Sequence, residues 1–157
     1  MADLLQNLAM RGVLTASNHE MLNRFANRWN LTGFDTILET KILSETKLAD
    51  EIAEIYGFVR IQALPFEALP ESLFNTIDYK TARALEVMPL GDILGHQKFF
   101  VLLANPTDKN KVGMVRHLIG QDIELGIAER HMVRKMIDRY YPITMQLSHI
   151  LGGADRE

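Results

Sequence analysis

Two stretches of this chain carry the same pattern about 29 residues apart. Leu8 and Val13-Leu14-Thr15 in the first return as Ile37 and Ile42-Leu43-Ser44 in the second. Each copy reads as a short apolar helix, a two-residue aliphatic hinge, a hydroxyl residue and a longer amphipathic helix. Met21, Phe25 and Trp29 fall at helical spacing in the long helix of the first copy. Leu48, Ile52 and Tyr56 do so in the second. An internal repeat is one supersecondary unit used more than once, because a single unit cannot bury its own apolar face. The pattern therefore asks for a tandem pair of helical hairpins at the N-terminal end.

The local signals agree. Residues 3–11 read as a helix with Leu4, Leu5 and Leu8 on one face, stopped by Gly12. Ser17, with Glu20 three residues on, reads as a capping box for a helix over 18–29. Leu31-Thr32-Gly33 is a turn, and residues 34–40 form a short helix with Phe34, Ile37 and Leu38 inward. Ser44 starts a helix over 45–56, and Gly57 ends it. Phe58 to Ile61 is a short strand candidate that goes with the helical unit.

Beyond it the pattern changes. Pro65 and Pro70 bracket a turn-rich connector, residues 62–71. Pro70-Glu71-Ser72 opens a helix to about Leu85. Val87 to Leu90 is a strand that Pro89 breaks or places at an edge. Gly95-His96 is a turn, and Phe99 to Leu103 reads as a strand buried on both faces. Asn105-Pro106-Thr107-Asp108 leads into a helix over 108–119, with Val112, Val115, Leu118 and Ile119 facing a sheet. Ile123, Leu125 and Ile127 alternate as a half-buried strand. A last amphipathic helix spans 129–141, with Met132, Val133, Met136, Ile137 and Tyr140 inward, and Pro142 ends it. The expected fold is α+β. A helical repeat subdomain (1–61) and the connector (62–71) precede an α/β subdomain with a three-stranded sheet (72–142). Residues 143–157, with Gly152-Gly153, read as a tail or linker.

Composition excludes several function classes. The chain has 157 residues and a formal charge of -3. A domain built to hold a nucleic acid polymer would be basic. There is no cysteine, so disulfides and thiolate metal sites are out, which fits a reducing cytoplasm. No apolar run approaches the roughly 18 residues that span a bilayer. Met1-Ala2-Asp3 places an acid where a secretory signal needs a basic stretch. The glycine-rich phosphate loop Gly-x-x-x-x-Gly-Lys-Ser/Thr, the dinucleotide fingerprint, the nucleophile elbow and the His-Glu-x-x-His helix are all missing. The five histidines, at 19, 96, 117, 131 and 149, do not pair at metal-ligand spacing. The expectation is a non-enzyme with no catalytic residue, no metal and no cofactor.

Three strings carry a resemblance. They are Ile37-Leu38-Glu39-Thr40-Lys41-Ile42-Leu43-Ser44-Glu45-Thr46-Lys47-Leu48-Ala49 running to Tyr56-Gly57-Phe58, then Val87-Met88-Pro89-Leu90 with Phe100 through Asp108, and last Ile123 to Tyr140-Tyr141-Pro142. In this order, from about residue 3 to 142, the chain resembles the N-terminal domain of the bacterial type II secretion and type IV pilus assembly ATPases. The resemblance implies a cytoplasmic, non-catalytic module of that transport machinery. It would sit at the inner membrane only through the assembly protein it docks. It also implies an alternative, since a subset of the family binds cyclic di-GMP through two tandem motifs. Each opens Arg-Leu-Gly, has a mid-motif glycine followed by two aliphatics, and closes on Gln.

Here the repeat keeps the packing part of that motif and loses the ligand part. The opening triplets align with Asp3-Leu4-Leu5 and Thr32-Gly33-Phe34, the mid-motif glycine with Gly12 and Lys41, and the closing Gln with Arg28 and Ile55. Arginine suits both the phosphates and the flat guanines of such a ligand. An acid at Asp3 opposes a phosphate. For the nucleotide alternative the residues to watch are Arg11, Gly12, Arg28 and Asp108. For partner docking they are Arg130, Arg134, Lys135 and Arg139, the basic face of the last helix, suited to an acidic partner.

Overall fold

The repeat folds as two helical hairpins: α1 (Leu4–Met10) with α2 (Ala16–Trp29), and α3 (Gly33–Thr40) with α4 (Glu45–Tyr56). A computed structural model describes residues 3–64, 67–92 and 98–148. Pro65, the Gly95-His96 turn and the Gly152-Gly153 segment lie outside the described residues. The chain divides into two units, one up to Gly57 and one from Phe58 on.

In the first unit every helix starts on a side-chain cap. Asp3, Thr15, Thr32 and Ser44 have extended backbones, and their side-chain oxygens accept the N–H groups of Gln6, Asn18, Asp35 and Lys47. Each bond satisfies a donor that the first turn leaves open. The repeated hydroxyls Thr15 and Ser44 are thus both caps. The cap of α2 is Thr15, at 3.0 Å from the Asn18 nitrogen, and not Ser17, which already lies inside the first helical turn. Gly12 and Lys41 both take the left-handed conformation, with φ of 78° and 57°. The turn geometry is therefore repeated even where the glycine is not.

Leu4, Leu5, Leu8, Leu14, Leu22, Phe34, Ile37, Leu48, Ala49 and Ile52 are buried in this unit. The two long helices differ. Leu48 and Ile52 of α4 are in the core, as the spacing suggests. α2 instead packs through Leu22, about 100° round the helix from Met21. Met21 and Trp29 are left 40% and 58% exposed. The two ends of the expected apolar stripe of α2 therefore face out, and Phe25 between them is half-buried.

The second unit is built on a four-stranded sheet in the order β1-β4-β3-β2. These strands are β1 (Val59–Arg60), β2 (Val87–Gly91), β3 (Phe99–Leu103) and β4 (Ile123–Ile127). The fourth strand beyond the three expected is the candidate at 58–61. It pairs in parallel with β4 and so belongs with this sheet rather than with the helices. The α+β class is as the sequence suggests. β3 and β4 are parallel and need a crossover, supplied by α6 (Lys109–Ile119). β2 is an edge strand, where Pro89 costs the sheet no ladder bond, and its register shifts between Pro89 and Gly91. In β4, a Cβ on Gly126 would lie 2.6 Å from the Phe100 ring, so the glycine lets that ring cross the strand.

The helix expected from Pro70 to Leu85 is in two pieces: a 3-10 turn, Glu71–Asn75, and α5 (Tyr79–Leu85). The break has two causes. Asp78 turns its carboxylate onto the Thr81 N–H as an N-cap, and the Ile77 carbonyl accepts the Tyr141 hydroxyl at 2.5 Å. Tyr141 is buried against Phe74 and Tyr79, and burial, with Asp78 adding, pushes its hydroxyl well above the usual tyrosine range. On α6, Val112 and Val115 are buried but Leu118, expected inward, is 44% exposed, and the helix ends on Gly120. α7 (Arg130–Tyr140) buries Val133, Met136, Ile137 and Tyr140. Residues 143–148, read from sequence as the start of a tail, are helical. Gln146 donates to the Asp138 and Tyr141 carbonyls there, closing the end of α7.

A left-handed non-glycine residue costs on the order of 1 kcal/mol. Lys41→Gly should therefore raise unfolding stability by about 0.5–1 kcal/mol in urea titrations, with no change in the denaturant slope.

Candidate functional site

α7 brings four cations to one helix, and the structure sorts them into two groups. Arg130 and Arg134 turn toward Glu86. This residue follows α5 in the left-handed conformation at φ 54°, and its carboxylate is buried. Arg130 Nε donates to Oε2 at 2.5 Å, and Arg134 donates to the same oxygen from Nε at 3.0 Å and Nη2 at 2.8 Å. Lys111 of α6 stands 3.6 Å from Oε1. The Glu86 carbonyl accepts the Ala104 N–H just past β3. Two of the four residues expected on a partner face therefore also hold the unit together. Sequence reasoning missed Glu86 and Lys111. The signal was present: Glu86 is a single acid inside the apolar run Ala84-Leu85-Glu86-Val87-Met88.

Lys135 and Arg139 form the other group. Both are exposed, and neither makes an ion pair among the described residues. The Arg139 guanidinium lies 5.3 Å over the Tyr140 ring. Together they edge a groove of about 270 Å³ whose other walls are Ala63, Leu64, Met132, Met136 and Tyr140. Met132, expected inward, is half-buried here. Farther round the helix, Asp138 accepts the Tyr79 hydroxyl at 2.8 Å and pairs with Arg83 at 2.7 Å. Burial, then the bond to Asp138, raises the Tyr79 hydroxyl above its ordinary value.

The residues of the nucleotide alternative lie apart from one another in function. Arg11 donates from Nε to Glu51 at 2.9 Å and sits 3.4 Å from Glu54. Lys47 reaches the other Glu51 oxygen at 3.1 Å. This network links the turn after α1 to α4. The hydrogen bond to Glu51 raises Arg11 above its ordinary value. Burial alone would raise the Glu51 carboxyl, but the hydrogen bonds and charges of Arg11 and Lys47 outweigh it and hold the carboxyl below its usual range. Gly12 is open, with no atom within 4 Å of where a Cβ would stand. Arg28 lies 5.5 Å over the Trp29 ring on the exposed side of α2. Asp108, in the second unit, caps α6 by accepting from Asn110 and Lys111. Among the described residues no group of three or more His, Asp or Glu is placed to hold a metal ion. No described helix is long and apolar enough to cross a membrane.

Glu86→Gln should cost about 2–3 kcal/mol, somewhat under the loss for a fully buried pair because the three cations still reach solvent. Urea unfolding checks this. Glu51 has a folded-state pKa below its unfolded one. Its stabilisation is complete above the unfolded value and is lost as pH falls through the folded one. Glu51→Gln should therefore flatten the decline in melting temperature as pH falls below about 4.5, relative to the parent.

Residues 56–147 match the MshEN domain family. The fold is similar to that of MshE solved with cyclic di-GMP, at 18% identity and a TM-score of 0.74, over 90% of this chain and 100% of that one. It is also similar to the N-terminal domain of XpsE, at 20% identity and a TM-score of 0.72, over 86% and 91% of the two chains. A second crystal form of that XpsE domain gives 0.64 at 18% identity, over 88% and 94%. At such identities the likeness is one of fold. No curated protein matches the chain.

Proposed function

The chain belongs to the MshEN domain family, and from that membership we propose a non-catalytic docking module of a bacterial secretion or pilus assembly ATPase system. It works on the cytoplasmic side of the inner membrane and is held there by the assembly protein it binds. The observation that carries this reading is a contrast in how cations are used. Lys135 and Arg139 stand exposed on α7 and make no ion pair among the described residues, Asp138 being paired with Arg83. Arg11, the cation nearest the mid-motif glycine of the first repeat, is already held by Glu51 and Glu54. A charge without a partner marks where an acidic surface gains most by binding.

A second reading is a cyclic di-GMP sensor with a diverged tandem motif. Likeness of fold to MshE solved with that ligand favours it. So does the open left-handed turn at Gly12. Against it stands the residue list: Asp3, where the motif has arginine, is spent as the cap of α1. Loss of one charge-assisted hydrogen bond weakens a ligand by about 1.5–3 kcal/mol.

Two measurements separate the readings. Purified cytoplasmic segments of inner-membrane assembly proteins from the same bacterium should bind at micromolar concentration, and no binding by any of them counts against docking. A ligand present at 100 times its dissociation constant stabilises the native state by about 2.7 kcal/mol. On the docking reading, one millimolar cyclic di-GMP should produce no such shift and leave the melting temperature and the calorimetric baseline unchanged. A clear rise that Arg28→Glu abolishes would establish the sensor instead.

A further inference from the structure

The groove beside α7 has walls of two chemistries. Ala63, Leu64, Met132, Met136 and Tyr140 make it apolar, and Lys135 and Arg139 give it a cationic lip. We propose that it seats an acidic, apolar peptide segment of a protein partner: one large apolar side chain enters the groove, and a neighbouring carboxylate pairs with Lys135 and Arg139. The proposal rests on the docking reading above and gives that reading a location and a recognised chemistry.

Size, charge and shape each support this occupant. At about 270 Å³ the groove falls just under the roughly 300–1,000 Å³ of small-molecule sites. That is room for an inserted side chain rather than for a whole dinucleotide. Lys135 and Arg139 are four residues apart on one helix, so they repel each other. They make no ion pair among the described residues, and a carboxylate set between them removes that repulsion. Arg139 is steadied over the Tyr140 ring, so its guanidinium is partly fixed before binding. Met132 and Met136, also four apart, are flexible and polarisable, and suit an anchor whose identity varies between Leu, Phe and Met. A concave apolar floor selects a protruding side chain, whereas an anionic lipid surface would need a flat or convex one.

The test uses the full 157-residue chain with 13C-labelled methionine methyl groups. The probe is a ten-residue peptide alternating Glu or Asp with Leu and Phe. It should shift the Met132 and Met136 methyl signals in a saturable way. The charge reversal Lys135→Glu with Arg139→Glu, at two exposed positions, should leave the melting curve intact and weaken the peptide at least tenfold. A matching peptide with Lys in place of the acids should bind the reversed chain better than the parent. The proposal is overturned if the Lys peptide shifts the parent equally, or if nothing shifts up to millimolar peptide. It is also overturned if phosphatidylglycerol vesicles, or the chain's own concentration, move those methyls as the acidic peptide does. Binding of the inner-membrane segments is a separate readout. Equal binding by the parent and the reversed chain overturns the groove and leaves docking in place. Absence of binding overturns docking, and the peptide titration then decides the groove by itself.

Discussion

One carboxylate organises the second unit. Glu86 ends α5, and its backbone joins β2 to the end of β3 through the Ala104 N–H. Its side chain draws in Lys111 from α6 and Arg130 and Arg134 from α7. A buried acid is expensive unless its lone pairs are met, and here three cations meet them. That convergence fixes the rotation of α7 about its own axis. With Arg130 and Arg134 turned toward α5, Lys135 and Arg139 lie along the opposite flank, beside the residues that follow β1. The groove follows from that rotation.

The first unit treats charge differently. Arg11, Lys47, Glu51 and Glu54 form a closed network between the two copies of the repeat. Asp3 and Asp108, acids at positions where ligand contacts were imagined, are helix caps. A side chain already bonded to its neighbours must break those bonds to serve a ligand, and this raises the cost of any nucleotide site assembled from them. Partner recognition is less demanding, because it draws on groups that the fold leaves over.

Much of this architecture is legible in the residues. The repeat gives its hinges and caps because a hydroxyl before a helix acts locally, within one turn. The buried strand at Phe99–Leu103 and the edge position of Pro89 follow from similarly short-range rules. Three features were not legible, each for a long-range reason. The strand at Val59–Arg60 can be read as a candidate, but its place in the sheet cannot, because it is set only by pairing with β4. The break at Ile77-Asp78 depends on Tyr141, 64 positions away. The rotation of α2 is set by its packing against both α1 and α3, and there Leu22 goes in while Met21 and Trp29 stay out. The site divides in the same way. The basic face of α7 can be read by spacing, but its division between Glu86 and the groove needs the third dimension.

The outward stripe of α2 has a consequence for how the protein meets its surroundings. Met21, Phe25 and Trp29 span nine residues of helix, a strip about 12 Å long, with Phe25 half-buried between its exposed ends. Whatever adheres to it does so by displacing water, and excluded salts such as sulfate strengthen that attraction. The lip of Lys135 and Arg139 acts through charge, which dissolved ions screen over about 10 Å at 0.1 M. Raising the concentration of an excluded salt therefore quiets one surface of the molecule and makes the other stickier, so the solution medium itself selects which surface is active.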